Sequence, residues 1–485
     1  MPILTLIENE RKTEIPFCET PTVAELVLQE RGSVFTPCGR LGRCGKCEIE
    51  IEGEISEPTA REKELGVRLA CLTRLYGDAR VRFKNQRENI ANVLTTAERT
   101  VVKVSDFNYG AAVDIGTTTV VLKLYGAKGE PLATAAATNP QRELAFDVIG
   151  RISESQNGKR GYLMESINSL VDALMREACE KVGISTEQIE RVVVTGNTAM
   201  LHFYRGLDVA PIATHPFKPN ELFGCTYGNT YLAPCISAFV GGDTVCALLY
   251  SGALDKSETS LLIDIGTNGE IALCKNGSLF VTSCAAGPAF EGGEISCGCG
   301  NIVGAVESVA VRDNKPFGAT VGNARPVGIC GSGLIDAVSV FLKLGYIDKS
   351  GYAEQALDIT AENGKLALTQ DDIRAFQLAK SAVRAGIETL LSHTDTSWEE
   401  ICTIYVAGGF GNSLSVDSAV NVGLFHPSAA EKLSFIGNAA LGGASMLLLD
   451  NSLCERAAEI AKRATVVDLA ANPDFYDRFI KFIDF

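Results

Sequence analysis

The segment Asp114-Ile115-Gly116-Thr117 recurs 150 residues later as Asp264-Ile265-Gly266-Thr267. Each copy follows an apolar run and leads into a second one, Thr119-Val120-Val121-Leu122 and Gly269-Glu270-Ile271-Ala272. Each then reaches another turn, at 126–129 and 275–277, and a third apolar stretch, at 132–136 and 279–282. Two three-strand meanders at one fixed offset predict a duplicated unit. Apolar residues at helical spacing over 161–182, 334–344 and 371–391 fill the intervals. The expected fold over 108–485 is therefore α/β with two lobes, the second turn lying within 261–273.

The repeated turns carry the phosphate chemistry. Each Gly-Lys pair is followed by Cys47, Arg160 or Leu366, so there is no Walker A loop. Instead, Gly116, Thr117 and Thr118 in one turn, and Gly266, Thr267 and Asn268 in the other, offer backbone N–H groups and polar side chains to phosphates. Asp114 and Asp264 are suited to Mg²⁺, held through water. A third element, Val406-Ala407-Gly408-Gly409-Phe410, reads as a buried strand entering a glycine turn that lets an adenosine approach the backbone. One such Asp-Gly-Thr turn is also found in plain hairpins; two in order, followed by the Gly-Gly turn, point to a nucleotide site. The ensemble resembles the ATPase superfamily of actin, sugar kinases and heat-shock chaperones. That resemblance implies ATP and Mg²⁺ as ligands, and extends to Cys330-Gly331-Ser332-Gly333, with Gly331 and Gly333 at the nucleotide. Asp243 is either the residue that orients the attacking water or the N-cap of a helix over 244–250. Asp336 has a structural reading alongside a functional one.

Residues 1–85 read as a separate α+β unit. Alternating runs at 4–8 and 12–16 flank a turn, and a helix over 22–30 has Thr22 as N-cap and Gly32 as C-cap. Strands are expected at 48–55 and 79–83, with a polar linker at 86–107. Cys38, Cys44, Cys47 and Cys71 form C-x5-C-x2-C-x23-C. A 2Fe-2S cluster needs four thiolates, and a glycine-rich loop wraps three of them round one edge. Arg40, Arg43 and Lys46 offset the cluster's charge. The pattern resembles the adrenodoxin and plant-type ferredoxins, a β-grasp fold whose last ligand lies in a segment like Arg68-Leu69-Ala70-Cys71. Zinc is the rival, but zinc sites usually show two C-x2-C pairs and here there is one. Cys18 reads as an ordinary buried cysteine.

Composition excludes other classes. A formal charge of −15 disfavours phosphate backbones and anionic lipid, so neither nucleic acid nor a membrane is an expected partner. The chain starts without a signal peptide's basic flank and apolar core, and no run of 18 apolar residues occurs, so a cytoplasmic location is expected. In a reducing cytosol its 16 Cys are not a disulfide framework. Four scattered His disfavour a histidine metal site.

A ferredoxin unit ahead of this ATPase is similar to the reductive activators of corrinoid proteins, with Asp264-Ile-Gly-Thr-Asn-Gly-Glu-Ile and Gly287-Pro-Ala-Phe-Glu-Gly as distinctive strings. The resemblance implies ATP-dependent transfer of one electron that reduces Co(II) to Co(I) cobalamin in a corrinoid protein of a methyltransferase system. It also implies an upstream ferredoxin or reductase as donor, and a homodimer. Larger members have a middle domain that this chain is expected to lack. Without Asp-x-His-x-x-Gly, the chain is not expected to carry cobalamin itself. Three readings stand beside this one. A dehydratase-activator-like donor would place a second cluster at Cys297 and Cys299 with Cys284 and Cys330. A redox-sensing ATPase would use the cluster to report, and a sugar kinase would have no use for a ferredoxin.

Overall fold

Leu4 and Leu6 are buried and their neighbours are not, which gives the strand β1 (Ile3–Glu8) one apolar face. The computed structural model describes residues 1–8, 11–31, 47–83, 104–359, 366–409 and 414–485. β1 pairs antiparallel with β2 (Arg11–Pro16), and β3 (Glu48–Ile55), β4 (Arg68–Leu69) and β5 (Leu75–Phe83) complete a sheet of order β2-β1-β5-β3-β4, with β1 and β5 parallel. The helix Val23–Arg31 opens on a capping box: Thr22 N donates to Glu25 Oε2 at 2.8 Å, and Glu25 N donates to Thr22 Oγ1 at 3.1 Å. Gly32 lies outside the described residues. The expected strand at 79–83 begins earlier, at Leu75, because inward Leu75, Ala79 and Val81 continue one buried row. Cys18 is exposed rather than buried: β2 ends at Pro16, and Phe17 takes the inward position beside it.

The two repeats build two sheets of matching order. In the first lobe, β6 (Gly110–Ile115), β7 (Thr119–Tyr125) and β8 (Pro131–Thr138) form the meander. β9 (Arg191–Gly196) joins parallel to β6, followed by β11 (Thr230–Leu232) and its hairpin partner β10 (Cys225–Tyr227). In the second lobe the meander is β12 (Ser260–Ile265), β13 (Gly269–Lys275) and β14 (Ser278–Cys284). A small sheet of β15 (Ala305–Arg312), β16 (Lys315–Thr320) and β17 (Gly328–Ile329) and the pair β18 (Leu357–Asp358) and β19 (Ala367–Leu368) follow. β20 (Thr403–Gly408) then joins parallel to β12, with β21 (Leu433–Gly437) beyond it and β22 (Thr465–Val466) beside β14. A parallel neighbour needs a crossover. The helices Arg160–Val182 and Gln370–His393 lie in those crossovers and, with Gly331–Leu344, match the three helical stretches expected.

A third apolar core joins the lobes. The helices Gly242–Ser251 and Ala439–Leu449 cross at close range, because a Cβ on Gly443 would lie 2.0 Å from Cys246 O. Val193 of β9, Leu262 of β12, Val245 and Leu447 are buried in this layer. Residues 104–107, assigned by composition to the linker, belong to it: Val104 N and Ser105 N both donate to Leu449 O at 2.8 Å, and Phe107 is buried. The rest of the linker, 86–103, lies outside the described residues. Among the described residues, no helix is long and apolar enough to cross a membrane.

Candidate functional site

Both repeated turns end at one cleft. The first is closed by Gly116 N donating to Thr119 O, and the second by Gly266 N donating to Asn268 O, each at 3.0 Å. The strand registers expose a departure from the repeat: Asp114 pairs across its hairpin with Val121, but Asp264 pairs with Glu270, so the second turn is one residue shorter. Directly opposed residues share a face of the sheet. The shorter turn therefore brings a carboxylate into the cleft where the first repeat has a valine.

The parallel strands complete the repeat. Ile115 pairs with Gly196 and Ile265 with Gly408. A Cβ on Gly196 would lie 2.7 Å from Ile115 O, and one on Gly408 would lie 2.8 Å from Ile265 O and 2.6 Å from Asp264 Oδ1. Gly408 has φ of 99°, a conformation that glycine adopts freely. Both glycines thus let the backbone pass close beside a turn. Asn197, one residue beyond Gly196, donates from Nδ2 to Thr117 Oγ1 at 3.1 Å.

Of the residues expected at the nucleotide, Asp114, Gly116, Thr117, Thr118, Asp243, Asp264, Gly266, Thr267, Asn268, Gly331, Gly408 and Gly409 all line this cleft of about 260 Å³. Gly333 does not. It faces β15, where a Cβ would come within 2.2 Å of Val306 O, so its smallness serves helix-to-strand packing. Phe410 lies outside the described residues. Asp243 is not the helix cap: Gly241 holds that place, and Asp243, in the first turn, accepts from Thr244 N at 2.7 Å. Asp336 is buried away from the cleft and accepts from Val309 N at 3.3 Å, as a structural residue would.

Asp114, Asp243, Asp264 and Glu270 meet here as four carboxylates. Burial, helped by the Asp243 charge, pushes Asp114 up to about 7 against an Asn438 hydrogen bond that lowers it. Burial, with the charges of Asp243, Asp114 and Glu291, pushes Asp264 up to about 7. Burial and the neighbouring Asp243 and Asp264 raise Glu270 as well. Like charges this close disfavour joint ionisation. A donor set of hard oxygens under mutual repulsion is what a divalent cation relieves, so the residues fit Mg²⁺. Behind the first turn, the fully buried Arg151 donates to Thr117 O at 2.5 Å and to Ala145 O at 3.0 Å, anchoring that turn from below.

In the N-terminal unit, Cys47 and Cys71 are both buried, with sulfurs 3.2 Å apart. Ala70 N donates to Cys47 O at 2.9 Å and fixes the two segments together. Two sulfurs on one tetrahedral ion at about 2.3 Å stand about 3.7 Å apart, roughly 0.5 Å more than this pair, so a shared metal would need the two thiols to open only slightly. Cys38 and Cys44 lie outside the described residues. Cys284, Cys297 and Cys330 each donate to a different carbonyl, those of Gly269, Ala367 and Val306. Among the described residues, no three His, Cys, Asp or Glu side chains stand close enough to ligate one metal ion directly, the cleft carboxylates included, so Mg²⁺ there would be held through water.

Residues 109–257 match the family model described as the RACo middle region, and 258–485 match the C-terminal domain of RACo, the ASKHA domain. The corrinoid activation enzyme RamQ of Eubacterium limosum is 31% identical over 413 residues, covering 77% of this chain and 69% of the relative. The chain belongs to the family of reductive activators of corrinoid proteins. A second family member, the [Co(II) methylated amine-specific corrinoid protein] reductase of Methanosarcina barkeri, is 27% identical, with 76% of each chain covered. A solved structure, a reductive activator for corrinoid, iron-sulfur protein, superposes with a TM-score of 0.72 at 26% identity, covering all of this chain and 98% of that one.

The family match corrects the expected lack of a middle domain. The middle region is the lobe that carries the first turn, and the boundary between the two matches falls just before β12. The activator's cleft also contains residues given no role from sequence. Glu270 was hidden by aligning the repeats on Asp-Ile-Gly-Thr, which conceals the shorter turn. Glu291 lies in a string quoted only for its resemblance, and Asn197 and Asn438 lie outside the motifs; the parallel pairing of β9 with β6 is the signal that leads to Asn197.

Proposed function

We propose that this activator binds Mg-ATP between its lobes and uses it to drive delivery of one electron to the Co(II) cobalamin of a corrinoid protein, giving Co(I). The observation that carries this reading is the convergence of both repeated turns, four carboxylates and the Gly408 crossing on one cleft. The names of the relatives from Eubacterium limosum and Methanosarcina barkeri support a corrinoid protein as partner.

A 2Fe-2S cluster held by Cys38, Cys44, Cys47 and Cys71 would supply one electron at low potential, near roughly −400 mV for plant-type centres. An upstream ferredoxin or reductase replaces that electron. In the cleft, Gly116, Thr117, Thr118, Gly266, Thr267 and Asn268 take the phosphates. Asp114 and Asp264 hold Mg²⁺ through water, and Asp243 orients the attacking water. Gly331, Gly408, Gly409 and Phe410 admit the rest of the nucleotide. The two crossing helices between the sheets connect closure of the cleft to the relative position of the lobes. ATP then favours the complex competent for electron transfer, and hydrolysis resets it.

The test is anaerobic. Reduced protein is mixed with a Co(II) corrinoid protein, and the Co(I) absorbance band is followed. The band is expected to grow with Mg-ATP and not with a non-hydrolysable analogue. No Co(I), with the cluster reducible and ATP bound, would direct the electron to a different acceptor.

A further inference from the structure

Glu291 joins the two turns directly. Its Oε2 accepts a hydrogen bond from Thr118 Oγ1 at 2.9 Å and another, close one from Thr267 Oγ1. Thr118 belongs to the first turn and Thr267 to the second, so one carboxylate oxygen engages both halves of the repeat. The residue ends a short 3-10 helix, Pro288–Glu291, which stops at Gly292 with φ of 73°. A Cβ on Gly292 would lie 2.6 Å from Cys299 N, so this helix end sits against the Cys299–Asn301 wall of the same cleft.

We propose that Glu291 is a specificity residue that competes with the γ-phosphate for the Thr118 and Thr267 hydroxyls. This rests on reading the cleft as the Mg-ATP site. A phosphoryl group seated between the turns needs donors from both of them, and the two hydroxyls are committed to Glu291. Two anions cannot share these donors without repulsion, so a triphosphate must displace the carboxylate. A diphosphate does not reach that far and leaves the bridge in place. Glu291 therefore weakens ATP binding relative to ADP binding. It also makes the 288–291 helix and the adjoining Cys299–Asn301 wall respond to the third phosphate, because displacing the side chain breaks its link to Thr118 across the lobes.

The experiment measures Mg-ATP and Mg-ADP affinities of the full chain by calorimetry, for the wild type and Glu291→Gln. The neutral amide's carbonyl oxygen can still accept both hydroxyls, but without the negative charge that strengthens those bonds and repels a phosphate. ATP binding should tighten by roughly tenfold, the value of one charge-assisted hydrogen bond, with ADP changed by less than about threefold. Unchanged or weaker ATP binding, or equal tightening of both nucleotides, overturns the proposal. Hydrogen exchange over 286–293 in the wild type provides a second reading that does not depend on the variant's folding. Exchange should rise with a non-hydrolysable ATP analogue and not with ADP; an equal response to both, or none, overturns the proposal. A wild type that binds neither nucleotide overturns the ATP reading itself, and the inference with it.

Discussion

Asn438 Nδ2 donates to Asp114 Oδ2 at 3.0 Å, across 324 residues of chain, while Asn438 Oδ1 accepts from Leu441 N at 2.8 Å. One amide therefore caps the helix Ala439–Leu449 and holds the carboxylate at the first turn. Replacing Asn438 with Ala removes both contacts and should cost about 1–2 kcal/mol. Asn438→Asp keeps a capping oxygen but sets a second carboxylate against Asp114. Chemical denaturation at neutral pH should find both variants less stable than wild type, with Asn438→Asp the closer to it because the capping oxygen is kept.

The helix crossing between the lobes has no room at Gly443. Gly443→Val should destabilise the protein by about 1–3 kcal/mol, the usual cost of overpacking. At Gly409 an added Cβ meets nothing within 4 Å. Gly409→Ala should therefore leave the thermal midpoint nearly unchanged, and a similar loss in both variants would refute the packing argument.

Glu62 is buried in the N-terminal unit and accepts from Leu69 N at 3.0 Å, Thr73 Oγ1 at 2.8 Å and Thr59 N at 2.8 Å, with Arg68 Nε at 3.1 Å. Burial alone would raise its pKa; the hydrogen bonds outweigh that and lower it to about 2. A depressed carboxylate contributes stability above its unfolded pKa and loses it as pH falls through the folded value. The contribution, about 3 kcal/mol, should be intact at pH 7 and decline between about pH 4.5 and pH 2. Hydrogen exchange at amides 60–73 should show this decline in the wild type and a flatter, uniformly weaker protection in Glu62→Gln.

The sulfurs of Cys47 and Cys71 predict a shared metal centre. Iron and acid-labile sulfide should be about two each per chain. Both should be lost in Cys71→Ala and in Cys44→Ala. Stoichiometric zinc in the wild type would contradict the cluster.

Much of this was legible because duplication leaves a period. The Asp-Ile-Gly-Thr turns, their meanders and the three long helices follow from apolar spacing alone, and two such units must bury their faces against something. The crossing of Gly443 on Cys246, with Gly442 against Tyr250, was not legible, because a pair of glycines in a helix carries no address for its partner. Glu270 entered the cleft through a one-residue difference in turn length, which flips no residue within β12 but changes which residue of β13 opposes Asp264. Glu291 reached it from a loop 24 residues past Thr267, a distance that only the folded chain closes. Cys18 was misjudged because burial at a strand's end depends on where the strand stops.

The central claim is that nucleotide bound at the paired turns controls the electron. Asp264→Asn tests it most directly, since the side chain lies in the cleft and the cysteines lie in another unit. Cluster content and reduction by dithionite should match wild type, while Mg-ATP-dependent Co(I) formation should fall by roughly a hundredfold or more. Co(I) formed by Asp264→Asn at the wild-type rate would contradict the account.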